Sequence, residues 1–129
     1  MQNKVKEFHQ VAKAVINDRP TVIDEDIKKL RIDLIDEEFT ELKEAMGLDS
    51  IVDIADALGD LLYVIFGTAI SYGINMEPIF NEIQRSNMTK FPNGKVLRSD
   101  TGKILKPDTF EEPELAKEIL KQICGGKEL

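Results

Sequence analysis

The segment SIVDIADALGDLLYVIFGTAISY, residues 50–72, is apolar on nearly every side when it is wound into an α-helix. A surface helix carries a single apolar stripe, so a helix that is apolar all round belongs inside a bundle. Ser50 is a suitable N-cap for this helix, and Gly73 is a suitable terminator. The segment therefore predicts the central helix of an all-α fold.

Apolar residues continue at helical spacing on both sides of this segment. They predict further helices over residues 2–17, 25–46, 76–88 and 114–124. Turn signals at Pro92-Asn93-Gly94 and Asp100-Thr101-Gly102 interrupt the pattern. We therefore expect a four- to five-helix bundle with a C-terminal loop or small hairpin segment.

Length and composition favour one soluble domain over residues 1–129. The net charge is -7, and an acidic chain is a poor general binder of nucleic-acid polymers, which are held largely through Lys and Arg. The single cysteine excludes an internal disulfide. The N-terminus lacks the apolar stretch of a signal peptide, and the apolar run 57–70 is too short to span a bilayer. We expect a cytoplasmic protein without a membrane partner.

Helix 25–46 carries acids within its apolar stripe. With Ile27 at the centre of that stripe, Glu38 falls at about +20° and Glu41 at about -40° around the helix axis. Glu37 falls near the edge of the stripe, at about -80°. Two carboxylates are therefore expected on a face that should be buried.

Helix 50–72 repeats this anomaly. Its acids, Asp53, Asp56 and Asp60, lie within about 60° of one another on the helix surface. An isolated carboxylate in an apolar interior loses several kcal/mol of hydration, so it must be protonated, paired with a base or bound to metal. Arg31 could neutralise one acid, but it could not neutralise five. Oxygen-only ligands suit hard cations, so the residues predict a Mg²⁺ or Mn²⁺ site formed by Glu38, Glu41, Asp53, Asp56 and Asp60.

The basic residues are concentrated in another part of the chain. Six bases and one acid lie between Arg85 and Lys106, although the whole chain is acidic. Such a split indicates an acidic part that needs cations and a basic part that could meet an anion.

These motifs resemble those of a known superfamily. Glu37-Glu38-Phe39-Thr40-Glu41 matches an E-E-x-x-E motif, and the run Asp53 to Tyr63 resembles the E-x-x-D segment that follows it. Together they resemble the all-α nucleotide pyrophosphohydrolases, which include MazG, dimeric dUTPases and phosphoribosyl-ATP pyrophosphohydrolase. The run Arg85 to Phe91, with Asp100 to Pro107, is similar to the phosphoribosyl-ATP pyrophosphohydrolase-like branch.

The resemblance implies a role for each part of the chain. Residues 25–91 would hold the catalytic helices and the phosphate-binding segment, 92–113 a basic loop, and 114–124 a C-terminal helix. Mg²⁺ would be held by Glu38, Glu41 and the helix 50–72 aspartates, with Glu37 as an outer acid or the base that activates water. The nucleotide phosphates would meet four side chains: Asn87, Lys90, Lys103 and Lys106.

Further implications concern the reaction and the assembly. The resemblance implies hydrolysis of a nucleoside triphosphate, such as dUTP or a non-canonical dNTP, to the monophosphate and pyrophosphate. It also implies a homodimer or homotetramer whose active site is completed by a neighbouring subunit. Many members carry a Glu where this chain has Ala57, so the helix 50–72 ligands could be Asp53 with Asp56 or Asp56 with Asp60.

Four alternatives remain open from the sequence. The substrate could be phosphoribosyl-ATP, in histidine biosynthesis, and the bundle could be a non-catalytic nucleotide sensor. A di-iron bundle would need Glu-x-x-His pairs, whereas His9 stands alone and is expected at the surface. A purely structural protein would tolerate loss of its acids.

Overall fold

The computed structural model describes residues 1–125. Their regular elements are helices joined by loops, and no β-strand is present among them. The α-helices are α1 Gln2–Ala12, α2 Glu25–Gly47, α3 Ile51–Tyr72, α4 Met76–Met88 and α5 Leu115–Ile123, and a 3₁₀ turn covers Pro92–Gly94. The predicted all-α class is therefore confirmed. The chain divides into two compact units, Met1–Asn75 and Met76–Leu129.

The first unit is built on the helical hairpin of α2 and α3. Its buried centre is Leu42 and Ala45 of α2 against Ala57 of α3, with Ile54 and Leu61 packed around them. Ser50 caps α3 as predicted, because its hydroxyl accepts a hydrogen bond from the Asp53 N–H at 3.3 Å.

The end of α3 also follows the sequence. Gly73 ends the helix at φ 72°, a left-handed conformation that favours glycine. A Cβ atom at position 73 would also collide with the carbonyl of Arg19. The position is thus closed to other residues on two grounds.

Helix α1 is shorter than its apolar periodicity predicts. It ends at Ala12 rather than residue 17, with Lys13 left-handed at φ 58°. The following backbone is engaged by α3 instead: the Val15 carbonyl accepts from the Ser71 hydroxyl at 2.9 Å, and the Asn17 amide donates to the Ser71 carbonyl at 2.7 Å. These tertiary hydrogen bonds replace the helical ones.

The sequence predicted a surface position for His9, and this prediction is wrong. The His9 side chain is only 3% exposed. Its Nδ1 lies 3.1 Å from the Val15 carbonyl oxygen. The neighbouring Arg31, only 7% exposed, donates to the Thr68 hydroxyl at 3.1 Å and the Val64 carbonyl at 2.8 Å. Both side chains pack against Gly67, where a Cβ atom would collide with the guanidinium.

Only part of α3 is covered within the first unit. Ala69 and Ile70 are buried, but Ile51 and Val52 are each 78% exposed. The whole helix has 22 residues and, by length and composition alone, is apolar enough to cross a membrane. The length argument made from residues 57–70 therefore does not hold, although core helices of soluble proteins meet the same criterion.

The second unit combines α4 and α5 with the basic loop. Arg98 and Ile104 form an isolated antiparallel bridge, and Ser99 N–H donates to the Lys103 carbonyl at 2.8 Å. The segment predicted as a C-terminal loop or small hairpin is thus a loop with one antiparallel bridge around a turn. On α4, the hydrogen bond from Arg85 lowers the pKa of Glu82 to about 2, and Glu82 also accepts from the backbone of Glu114.

Candidate metal centre

Three of the predicted acids converge between neighbouring helices of the first unit. Glu38 and Glu41 lie one turn apart on α2, and Asp60 faces them from α3. One carboxylate oxygen from each lies within 4.8 Å of the others. This spacing suits three ligands of one divalent cation, and we call these residues the carboxylate trio.

Glu38 has an unusual environment within the trio. Its Oε2 is buried without a hydrogen-bond partner, the one such buried side-chain nitrogen or oxygen among the described residues. Burial, followed by the charges of Glu41 and Asp60, raises the pKa of this carboxyl above its usual range. A cation would supply the missing partner, so the donor set fits a hard divalent metal.

The remaining acids are less buried than the helical wheels predicted. Glu41, Asp53, Asp56 and Asp60 are all exposed, and only Glu38 is partly buried. The expectation that all five point into the core is therefore wrong. The two helices pack through Leu42, Ala45 and Ala57, which leaves the acids along one open edge of the helix pair.

The other two aspartates line a neighbouring cleft. Asp53 and Asp56 border an open cleft of 250 Å³ together with Glu41 and Glu44. Glu41 belongs to both the cleft and the carboxylate trio. The five acids thus form two adjacent groups that share one residue.

Arg31 and Glu37 lie outside the trio. Arg31 donates to α3 at Thr68 and Val64, and no ion pair joins it to an acid of the described chain. The expectation that it could neutralise one acid is not met. Glu37 is exposed, and its charge contributes to the raised pKa of Glu38.

The predicted phosphate-binding residues lie in the second unit. Asn87 is exposed on α4, and Lys103 is exposed in the hairpin. The ammonium groups of Lys90 and Lys106 lie 5.6 Å and 4.8 Å from the centre of the Phe110 ring.

Sequence reasoning missed Phe110, and it missed the hydroxyls of Ser86 and Thr89, which bind the adjacent Glu111. Ser86 donates to the Glu111 carbonyl at 2.6 Å, and Thr89 accepts from the Glu111 N–H at 2.9 Å. Ser86 and Thr89 both belong to the run Arg85 to Phe91 that carried the resemblance. Their position in that motif was the one sequence signal that could have marked them as functional. Phe110 itself stood in a loop without a periodic pattern.

The helical hairpin gathers carboxylates from both helices, as the resemblance to the all-α, MazG-like pyrophosphohydrolases implied. A family model described as phosphoribosyl-ATP pyrophosphohydrolase matches residues 5–87, and the chain belongs to this family. The resemblance read from the acidic motifs is thereby confirmed.

One relative is an uncharacterized protein of Acanthamoeba polyphaga mimivirus. It is 47% identical over 49 residues, which cover 38% of this chain and 20% of the viral protein. The matched part is thus a fifth of that relative.

The family's description names a pyrophosphohydrolase, an enzyme class that cleaves a phosphoanhydride bond of a nucleotide-like substrate. The family is typically dependent on a divalent metal, and the carboxylate trio is the group of described residues that could hold one.

Proposed function

We propose that the protein is a cytoplasmic, magnesium-dependent hydrolase that converts a nucleoside triphosphate to its monophosphate and pyrophosphate. Its role would be to clear dUTP or a non-canonical dNTP from the nucleotide pool. The proposed catalytic domain spans residues 1–129, with Mn²⁺ as an alternative metal. Its ligand is a small nucleotide rather than a nucleic-acid polymer or a membrane.

The observation that carries this proposal is the unpartnered, buried Oε2 of Glu38 beside two further carboxylates. Three carboxylates this close repel one another, by about 1 kcal/mol per pair even in a water-like dielectric. A cation removes that repulsion and gives the buried oxygen a partner. The arrangement is therefore better suited to a bound metal than to an empty surface.

Each group of side chains has a proposed task. Glu38, Glu41 and Asp60 would hold Mg²⁺, and Asp53 and Asp56 would supply further oxygen ligands from the neighbouring cleft. Mg²⁺, when bound, neutralises charge on phosphate oxygens and lowers the pKa of water.

The protein's own residues then handle the proton and the leaving group. Glu37, exposed beside Glu38, accepts a proton from the attacking water as general base. Lys90 stabilises the negative charge that develops on the departing pyrophosphate, with Asn87, Lys103 and Lys106 as further phosphate contacts.

The test is pyrophosphate release from a panel of canonical and modified nucleoside triphosphates, with Mg²⁺ and with excess chelator. We expect turnover that requires Mg²⁺ and is lost in Glu41→Gln, while Asp36→Asn on the same helix remains active. Turnover that persists in chelator would remove the metal from the mechanism. Binding of nucleotide without product in a single-turnover experiment would instead identify a sensor.

The family match favours phosphoribosyl-ATP as a second candidate substrate. Its cleavage uses the same phosphoanhydride chemistry, so the carboxylate trio serves either reaction. Phosphoribosyl-ATP belongs in the substrate panel. A kcat/KM for it well above that for every free triphosphate would assign the enzyme to histidine biosynthesis.

We also propose that a second copy of the chain covers the exposed side of α3, giving a homodimer or homotetramer. Ile51 and Val52 are each 78% exposed, and Leu58 and Leu62 are about half exposed. Large contiguous apolar surface is uncommon on monomers. Light scattering should give a mass of at least two chains, and a monomeric mass at micromolar concentration would refute the assembly.

A further inference from the structure

In the second unit, two positively charged side chains meet one aromatic ring. The ammonium group of Lys106 lies 4.8 Å from the centre of the Phe110 ring, and that of Lys90 lies 5.6 Å from it. These distances lie within the range in which the ring quadrupole attracts a cation. The one ring therefore attracts two positive charges.

The position of Phe110 is fixed by its neighbours in the chain. Glu111 is tied to α4 through its carbonyl, which accepts from Ser86 at 2.6 Å, and through its N–H, which donates to Thr89 at 2.9 Å. Its carboxylate also accepts from Arg85 at 2.8 Å. Ser86 is only 2% exposed, so its hydrogen bond to the Glu111 carbonyl is shielded from water, whereas the contacts of Thr89 and Arg85 are exposed.

Lys90 lies just beyond the end of α4, where its backbone N–H donates to the Asn87 carbonyl at 3.1 Å. The attachment of Glu111 to the last turns of α4 thus brings the ring next to Lys90. Lys106, which directly precedes Pro107 in the sequence, lies beside the same ring. It also lies 3.5 Å from the Glu112 carboxylate, an exposed ion pair.

An ammonium group has three N–H donors, and contact with a ring face leaves donors free for other partners. The exposed partner Glu112 can be displaced by a more highly charged ligand, since exposed ion pairs contribute little. Two ammonium groups beside one ring suit a ligand with several adjacent negative charges. A di- or triphosphate chain has this property, whereas a single carboxylate does not.

We propose that Phe110 is a positioning residue, which holds Lys90 and Lys106 together to receive the phosphate chain of the nucleotide. This inference rests on the proposed function, because it deepens the binding role given there to the two lysines. Phe110 acts through the lysines and does not touch the reacting atoms. Its loss removes the shared position of the two ammonium groups in the free protein but leaves both charges in the chain, so it should raise KM more than it lowers kcat.

The experiment compares Phe110→Leu, which keeps apolar volume but removes the ring, with Phe110→Tyr, which keeps the ring. Phe80→Leu is the matched control, since Phe80 is 67% exposed on α4 of the same unit. Binding of inorganic triphosphate is measured by calorimetry, and KM and kcat are measured with the best nucleotide of the panel. Thermal melts verify that each variant is folded.

We expect Phe110→Leu to weaken triphosphate binding and raise KM about fivefold, the size of one to two lost cation–π contacts. Phe110→Tyr and Phe80→Leu should remain near the wild type. Triphosphate affinity that is unchanged in Phe110→Leu, or absent in the wild-type protein, would overturn the inference.

The two proposals fail in different ways. If no nucleotide is hydrolysed but triphosphate binding depends on Phe110, the positioning role stands and the enzymatic function falls. If hydrolysis is robust and KM ignores Phe110, the function stands and the positioning role falls.

Discussion

Replacement of Glu38 by Gln should have opposite effects on the stability of the metal-free and metal-loaded protein. Glu38 lies with Glu41 and Asp60 in a group whose oxygens are within 4.8 Å, and its Oε2 is buried without a partner. Glutamine keeps the size of the side chain but removes one charge. Without metal, the loss of two repulsive pairs should stabilise the variant by about 1–2 kcal/mol.

Magnesium should reverse the order of stability of the wild-type protein and Glu38→Gln. A ligand that binds only the folded protein adds about 2.7 kcal/mol at one hundred times its Kd. For a domain of this size that is a rise in Tm on the order of 10 °C. Glu38→Gln loses a ligand and should rise by only a small fraction of this, so the wild-type protein becomes the more stable one.

The assay is a thermal melt at increasing MgCl2, with NaCl at matched ionic strength to separate binding from charge screening. Asp36→Asn is the control, because it removes one exposed charge from the same helix outside the trio. It should show the full magnesium response. The reasoning fails if MgCl2 acts on the wild type no more than NaCl does, or if Glu38→Gln responds equally.

Three further predictions concern His9 and two glycines of α3, Gly67 and Gly59. Burial, helped by the charge of Arg31, lowers the pKa of His9 below 6.5 against the effect of the Val15 hydrogen bond, so the folded state resists protonation. Folding stability should be full above pH 6.5 and fall as pH drops below it, and urea melts of His9→Gln should lack that component. Gly67→Ala should cost about 2 kcal/mol in urea melts, since its Cβ meets Arg31 and His9. Gly59→Ala, with nothing within 4 Å of the added Cβ, should instead stabilise the protein by up to about 1 kcal/mol; equal effects at the two glycines would contradict the close packing of Arg31 and His9 against Gly67.

Local signals in the sequence were sufficient to locate the five α-helices and both ends of α3. Ser50 and Gly73 bound α3 as expected, because a cap hydrogen bond and a left-handed terminator depend on residues within one turn. The two acidic motifs, together with the run from Arg85 to Phe91, likewise identified the family, because a motif is read from residue types at fixed spacing along the chain. The hairpin of the basic loop followed from its turn residues.

Contacts between distant residues were decided by the tertiary structure alone. Helical periodicity continued to residue 17, but hydrogen bonds from Ser71 and Asn17 ended α1 at Ala12. The helical wheels predicted five acids on buried faces. Packing of α2 against α3 instead left four of them exposed and brought the carboxylates of Glu38, Glu41 and Asp60 close to one another.

A sequence determines which residues share a helix face, because that follows from the 100° turn per residue. It does not determine which part of that face the neighbouring helix covers, because the rotation of each helix about its axis is set by packing of the whole core. For the same reason, the sequence supplied Lys90 and Lys106 as candidates, and only the fold brought both to the ring of Phe110.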